Sequence, residues 1–198
     1  MKTKTAKIII PIVLLLGGLI VFLVASGLQV NASTGEALET TNALTMYLYV
    51  EGIPGESVQQ DHAQWIDVLA YSHNIQASYD MGTARTSGSA QHTPLRITKM
   101  VDKATPKLYE ACAKGTAIPS VQLDFCRADV TQNVFYSIQL QNAHVTSVQE
   151  YGLLEDIPTE TVSFVYETIK WVYTEYDSQG NAKGNVEFID SWQEETPA

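Results

Sequence analysis

The sequence predicts a mainly β protein: an antiparallel β-barrel or two-sheet sandwich with one short α-helix, preceded by an N-terminal hydrophobic helix that is either a signal or a transmembrane segment. Three observations carry this. Apolar residues recur with period two in segment after segment beyond residue 44, turn-forming residues separate those segments at close spacing, and only one stretch shows helical spacing with a start and a stop signal. The 198 residues are 45% apolar, with a mean hydropathy of −0.05, enough for a core and too polar for a multi-spanning membrane protein. The net charge of −10 hides a split. Lys2, Lys4 and Lys7 are the only charges in residues 1–35, so the remainder sets nine cations against 22 acids, a balance of −13. A body this acidic argues against nucleic acid, which demands a basic surface.

Residues 8–30 contain no charge and follow the three lysines. At about 1.5 Å per residue a helix over this run reaches roughly 35 Å, enough to cross a bilayer core. The same run ends in Val30-Asn31-Ala32, which fits signal cleavage between Ala32 and Ser33. Residues 1–32 are therefore expected to be a signal peptide or a membrane anchor, and 33–43 a polar linker. Under either reading the lysines stay in the cytoplasm and the body is exported. It is secreted or periplasmic if cleaved, and otherwise anchored outside the cytoplasm, touching membrane only through residues 8–30.

The body, residues 44–198, opens with Leu44 to Val50, where aliphatic residues alternate with Thr45, Tyr47 and Tyr49. A turn at Glu51 to Gly55 leads to a strand over Gln64 to His73 that is apolar in both parities. Residues 80–93 are small and polar and predict a long exposed loop. After a strand at Leu95 to Val101, Thr105 is a good N-cap, Pro106 suits the first helical position, Leu108, Ala111 and Cys112 share a stripe, and Gly115 stops the helix. Strands follow at Val121 to Arg127, Val134 to Leu140 and Ala143 to Val148. The longest pair, Val162 to Tyr176 and Gly184 to Trp192, is joined by a turn-rich Asp177 to Lys183.

Catalytic chemistry is not legible. His62, His73, His92 and His144 are scattered without metal-ligand spacing, no nucleophile elbow or phosphate loop occurs, and Glu155-Asp156 and Glu194-Glu195 read as solvated charge. No enzyme activity and no cofactor are expected. Cys112 and Cys126 could close one disulfide in an exported domain, or remain small buried hydrophobes. Tyr47, Tyr49, Tyr166, Trp171, Tyr173 and Tyr176 suit either sheet walls and cross-strand pairs or an assembly surface.

The order of Met46 to Gly52, Gln64 to Ser72, a Gly/Ser-rich loop, Ile97 to Leu108 opening a helix that ends at Gly115, Val121 to Arg127, Tyr136 to Val148, Asp156-Ile157-Pro158 and Val162 to Trp171 resembles the hemolysin-coregulated protein (Hcp) family of the type VI secretion system. The stretch Lys99 to Gly115 is its most specific part. The resemblance implies a β-barrel forming hexameric rings that stack into a tube, with small effector proteins in the lumen and other secretion-system components as partners. It implies no catalytic residue. Residues 80–93 fall where the family has a loop implicated in ring stacking, which points to Met81, Thr83, Arg85, Ser87 and Ser89. The amino terminus departs from the family, whose tube subunits assemble in the cytoplasm without a cleavable signal. The alternative is an exported, non-tube binding module of the cell envelope on the same fold.

Overall fold

The structure is a computed structural model that describes residues 44–191, apart from 84, 87, 128–132, 153 and 155. The expected export segment, its junction at Ala32 and Ser33, the linker, Ser87, Glu155, Trp192 and Glu194-Glu195 lie outside the described residues. Among the described residues are thirteen strands and one α-helix: β1 Leu44–Val50, β2 Ile66–Val68, β3 Ala70–Ser72, β4 Ile75–Gln76, β5 Tyr79–Asp80, β6 Arg85–Thr86, β7 Gln91–His92, β8 Leu95–Met100, α1 Thr105–Lys114, β9 Ala117–Arg127, β10 Val134–Tyr151, β11 Thr159–Val165, β12 Thr168–Tyr176 and β13 Ala182–Ser191. A 3-10 turn, Gln60–His62, lies between β1 and β2.

The main sheet is antiparallel throughout, in the order β2-β1-β9-β10-β11-β8-β3, and β12 pairs with β10 and β13 off that path. The expected closed barrel is not formed, because the hydrogen-bonded path is open between its end strands β2 and β3. These two are successive pieces of the segment expected as one strand. The chain leaves β1 after Val68 and pairs with β8 from Ala70, with the Leu69 amide donating to the Thr98 carbonyl at 2.8 Å. Only one parity of the segment reaches the core: Ile66 and Val68 are buried, whereas Leu69 and Tyr71 are exposed at 49% and 43%.

A second bend joins what the sequence suggests are two strands. β10 runs unbroken for 18 residues, its first half beside β12 and its second beside β11. The change falls at Asn142, which takes the left-handed region at φ 50°, a conformation asparagine tolerates better than most residues. On the other side of the corner the expected strand Val162 to Tyr176 is interrupted at Tyr166 and Glu167, which separate β11 from β12. The β12–β13 hairpin forms as expected. Its turn is fixed by the Asp177 carboxylate, which accepts from the amides of Gln179 at 2.8 Å and Asn181 at 2.9 Å.

The core lies between the inner faces, with Leu48, Ile66, Ile97, Leu123, Phe125 and Phe164 almost fully buried. Helix α1 covers β10 with Leu108 and Ala111. Its start corrects the sequence reading. Thr105 is the first helical residue and not the cap; the preceding turn is closed by Asp102, whose carboxylate accepts from the Ala104 amide at 2.9 Å and whose carbonyl accepts from the Thr105 amide at 3.1 Å. Gly115 ends the helix as expected, in the left-handed region at φ 61°.

Candidate assembly site

Residues 80–93 are not an irregular loop. With the preceding residues they form a two-stranded arm, in which Ile75 pairs with His92, Gln76 with Gln91, Tyr79 with Thr86 and Asp80 with Arg85. The rungs are too short and too polar to give an alternating signal, so sequence reading recovers only exposure. At about 3.3 Å per residue the ribbon from Asn74 to Met81 extends up to roughly 23 Å. Its root is held by Thr93, whose amide donates to the Asn74 carbonyl at 2.9 Å. At the tip the Gly82 amide donates to the Asp80 carboxylate at 2.8 Å; this bond and the Thr83 hydroxyl hold the carboxyl below its ordinary range. Of the sequence-predicted stacking residues, Met81, Thr83, Arg85 and Ser89 are all exposed, Met81 at 92%.

Strand β13 is the second conspicuous surface, and sequence reading missed its meaning. It pairs only with β12, so its outer edge carries backbone groups with no sheet partner among the described residues. Val186, Phe188 and Ile189 are exposed at 73%, 59% and 58%, which puts apolar side chains on both faces of an open edge. Monomeric proteins usually blunt such edges with charge, bulges or proline. The available signal was Val186 and Phe188 in one parity with Ile189 in the other. Trp171 stacks on Phe188, ring centroids 5.5 Å apart, and stiffens the hairpin.

Most of the remaining aromatics are wall residues rather than a surface set. Tyr47 is buried and stacks on His62 at 4.5 Å, Tyr49 leans on Trp65, and the Tyr176 hydroxyl donates to the Val134 carbonyl at 3.0 Å. Tyr173 remains partly exposed.

The histidines separate into three environments. Buried His62 meets Asp124 at 3.1 Å through Nε2, while its Nδ1 has no hydrogen-bond partner among the described residues. His73 and His92, remote in sequence, both reach the Tyr166 hydroxyl, at 2.6 and 3.0 Å, and His92 Nε2 lies 3.3 Å from an Asp190 carboxylate oxygen. His144 lies apart on β10. Among the described residues no cluster of three or more histidine, cysteine, aspartate or glutamate side chains could hold a metal ion. Both cysteines are free thiols. Burial, reinforced by Asp124 and Asp61, pushes the Cys126 thiol up to about 11, so it stays protonated and unreactive at neutral pH.

A buried ionic knot fixes the helix to the sheets. Lys99 Nζ contacts Glu160 and Asp102 carboxylates, each at 2.6 Å, the Met100 carbonyl at 2.9 Å and the Thr105 hydroxyl at 3.1 Å. Thr105 in turn donates to Glu160 at 2.9 Å. This is why Thr105 is unavailable as a cap.

These features define an antiparallel β protein whose surface is dominated by a projecting arm and an uncovered apolar edge. Residues 47–173 match the family profile described as "Type VI secretion system effector, Hcp". The chain is 32% identical over 146 residues to protein hcp1 of Pseudomonas aeruginosa, covering 72% of this chain and 90% of that one. It is 25% identical over 147 residues to the major exported protein of the same organism, covering 70% and 86%. A solved structure of a type six secretion system protein superposes with a TM-score of 0.68 at 29% identity, covering 73% of this chain and 92% of the other. The chain belongs to the Hcp family of the type VI secretion system. Among the described residues no helix is long and apolar enough to cross a membrane.

Proposed function

We propose that this chain is a structural subunit that closes into hexameric rings, with stacked rings forming a tube whose lumen can carry small effector proteins. The observation that carries the reading is strand β13, an open edge bearing exposed Val186, Phe188 and Ile189. A neighbouring copy that pairs with this edge satisfies its backbone groups and covers its apolar side chains at once, and repetition of one head-to-tail contact closes a ring. The arm, on which Met81, Thr83, Arg85 and Ser89 are exposed, is assigned to contacts between rings, as is Ser87 from the sequence. Family membership supports both assignments. The uncharged residues 8–30 add an export or anchoring step, with cleavage after Ala32 giving a soluble exported subunit.

That same segment favours a second reading, an exported envelope binding module that uses the arm to hold another protein as a monomer. Sedimentation of the full chain in mild detergent separates the two. The ring reading expects a species of about six subunits, reduced to monomer by Ile189→Lys with the fold retained. A monomer at high concentration in the unaltered chain overturns it and leaves the binding module.

A further inference from the structure

We infer that His73, Tyr166, His92 and Asp190 form a pH-sensitive clasp that holds the arm to the β12–β13 hairpin. The four residues come from separate places. His73 directly follows β3, His92 lies on β7 at the root of the arm, Tyr166 occupies the corner between β11 and β12, and Asp190 lies near the end of β13. The Tyr166 hydroxyl is 2.6 Å from His73 Nε2 and 3.0 Å from His92 Nδ1, and His92 Nε2 is 3.3 Å from Asp190 Oδ2. Trp171 flanks the group, its ring 5.8 Å from that of His73 and stacked on Phe188 of β13. Loss of the clasp therefore frees the arm root and the outer strand together.

Proton counting gives the pH dependence. A phenol has one proton, so Tyr166 donates to only one of the two imidazole nitrogens and accepts from the other. With both imidazoles neutral, His73 donates to Tyr166, Tyr166 to His92, and His92 to Asp190. One added proton is accommodated in two ways. It either rests on the far nitrogen of His73, or the hydroxyl turns so that His92 is the cation, donating to both Tyr166 and Asp190 while His73 accepts. A second proton makes both imidazoles cations, and both nitrogens that face Tyr166 become donors. Their ring centroids are 6.2 Å apart, so like charge now opposes the contact.

Asp190 faces His92, and no carboxylate is in contact with His73 among the described contacts. Glu167 accepts from Asn142 at 3.0 Å, Lys170 on β12 is engaged with Glu187 on β13 at 2.8 Å, and Arg96, opposite Ser72 on β8, is exposed. Burial, and secondly the neighbouring His92, lower the His73 value below 6.5, while burial and then Asp190 raise the Tyr166 phenol, which stays protonated. A histidine whose folded value lies below its unfolded one contributes stability above about 6.5 and loses it as pH falls below that value.

Hydrogen exchange of the full chain, followed by mass spectrometry at about pH 7.5 and about pH 5 and corrected for the intrinsic pH dependence of exchange, tests the clasp. The unaltered chain is expected to lose about tenfold protection on acidification, jointly in peptides covering the arm root and β13. His73→Gln, which keeps a polar group and cannot titrate, is expected to retain protection at both pH values. Unchanged protection in the unaltered chain, or an equal acid loss in His73→Gln, overturns the clasp. If His73→Gln fails to fold, Tyr166→Phe serves instead: it should show the acid-state exchange already at neutral pH, and full protection there overturns the inference. Because β13 is also the proposed ring edge, the same samples are sedimented at both pH values: joint loss of protection with the oligomeric state unchanged supports the clasp, and loss seen only where the oligomer dissociates overturns it.

Discussion

Lys99 is fully buried and held by two carboxylates, a carbonyl and a hydroxyl, and its partner Glu160 is equally buried. Dehydrating such charges costs several kcal/mol each, so the knot contributes less as net stability than as a fixed geometry between α1, β8 and β11. The asymmetry of that balance is testable. Lys99→Met leaves Glu160 buried without its cation and is expected to cost about 3–5 kcal/mol, whereas the pair Lys99→Met with Glu160→Leu should recover most of the loss. Urea unfolding of the two variants, compared at constant slope, reads this directly. If the double variant is as unstable as the single one, the knot is a net source of stability. One oxygen of Glu160 already lacks a hydrogen-bond partner among the described residues, which is consistent with a site selected for placement rather than for strength.

Elements differ in how much of them the chain pattern reveals, and the reason is the range of the causes. Helix α1 was legible because its stop is local. Gly115 adopts φ 61°, and the Thr116 amide returns to the Ala111 carbonyl at 3.0 Å. A Cβ at position 115 would meet nothing within 4 Å, so Gly115→Ala carries a conformational cost alone. We expect about 1 kcal/mol, measurable as a shift in the denaturation midpoint, with Gly115→Asn closer to the unaltered chain. A loss of several kcal/mol would mean that the helix end also positions the knot. Strand existence was equally legible, whereas strand breaks were not. Nothing in the alternation of Val134 to Val148 shows one continuous β10 bending at Asn142, because the change of partner from β12 to β11 is set by the remote corner at Tyr166 and Glu167. The arm failed for the opposite reason: its two-residue rungs are weak, so its polar, glycine-containing sequence reads as a loop. The Lys99–Glu160 and His73–Tyr166–His92 contacts join residues 61 to 93 positions apart in the chain, beyond the reach of any periodic signal.

At the scale of the whole molecule, two parts of one chain carry opposite instructions. The acidic body has a fold of the Hcp family, while residues 1–32 have the basic start and uncharged run of an export or anchoring segment. Self-association of a body with a balance of −13 works against long-range repulsion, so it requires a dense short-range contact of the kind β13 offers. The segment's fate decides where that contact can form. On the proposed ring reading, cleavage after Ala32 would release a subunit free to assemble away from the membrane, whereas retention would keep each subunit tethered. Val30 and Ala32 place compact side chains at the two positions a signal peptidase reads, and we expect the mature protein to begin at Ser33. Intact-mass measurement of protein recovered from the producing cell, fractionated into membrane and soluble pools, checks this. A mass that still includes Met1 to Ala32, found in the membrane pool, overturns cleavage and makes this chain a tethered member of its family.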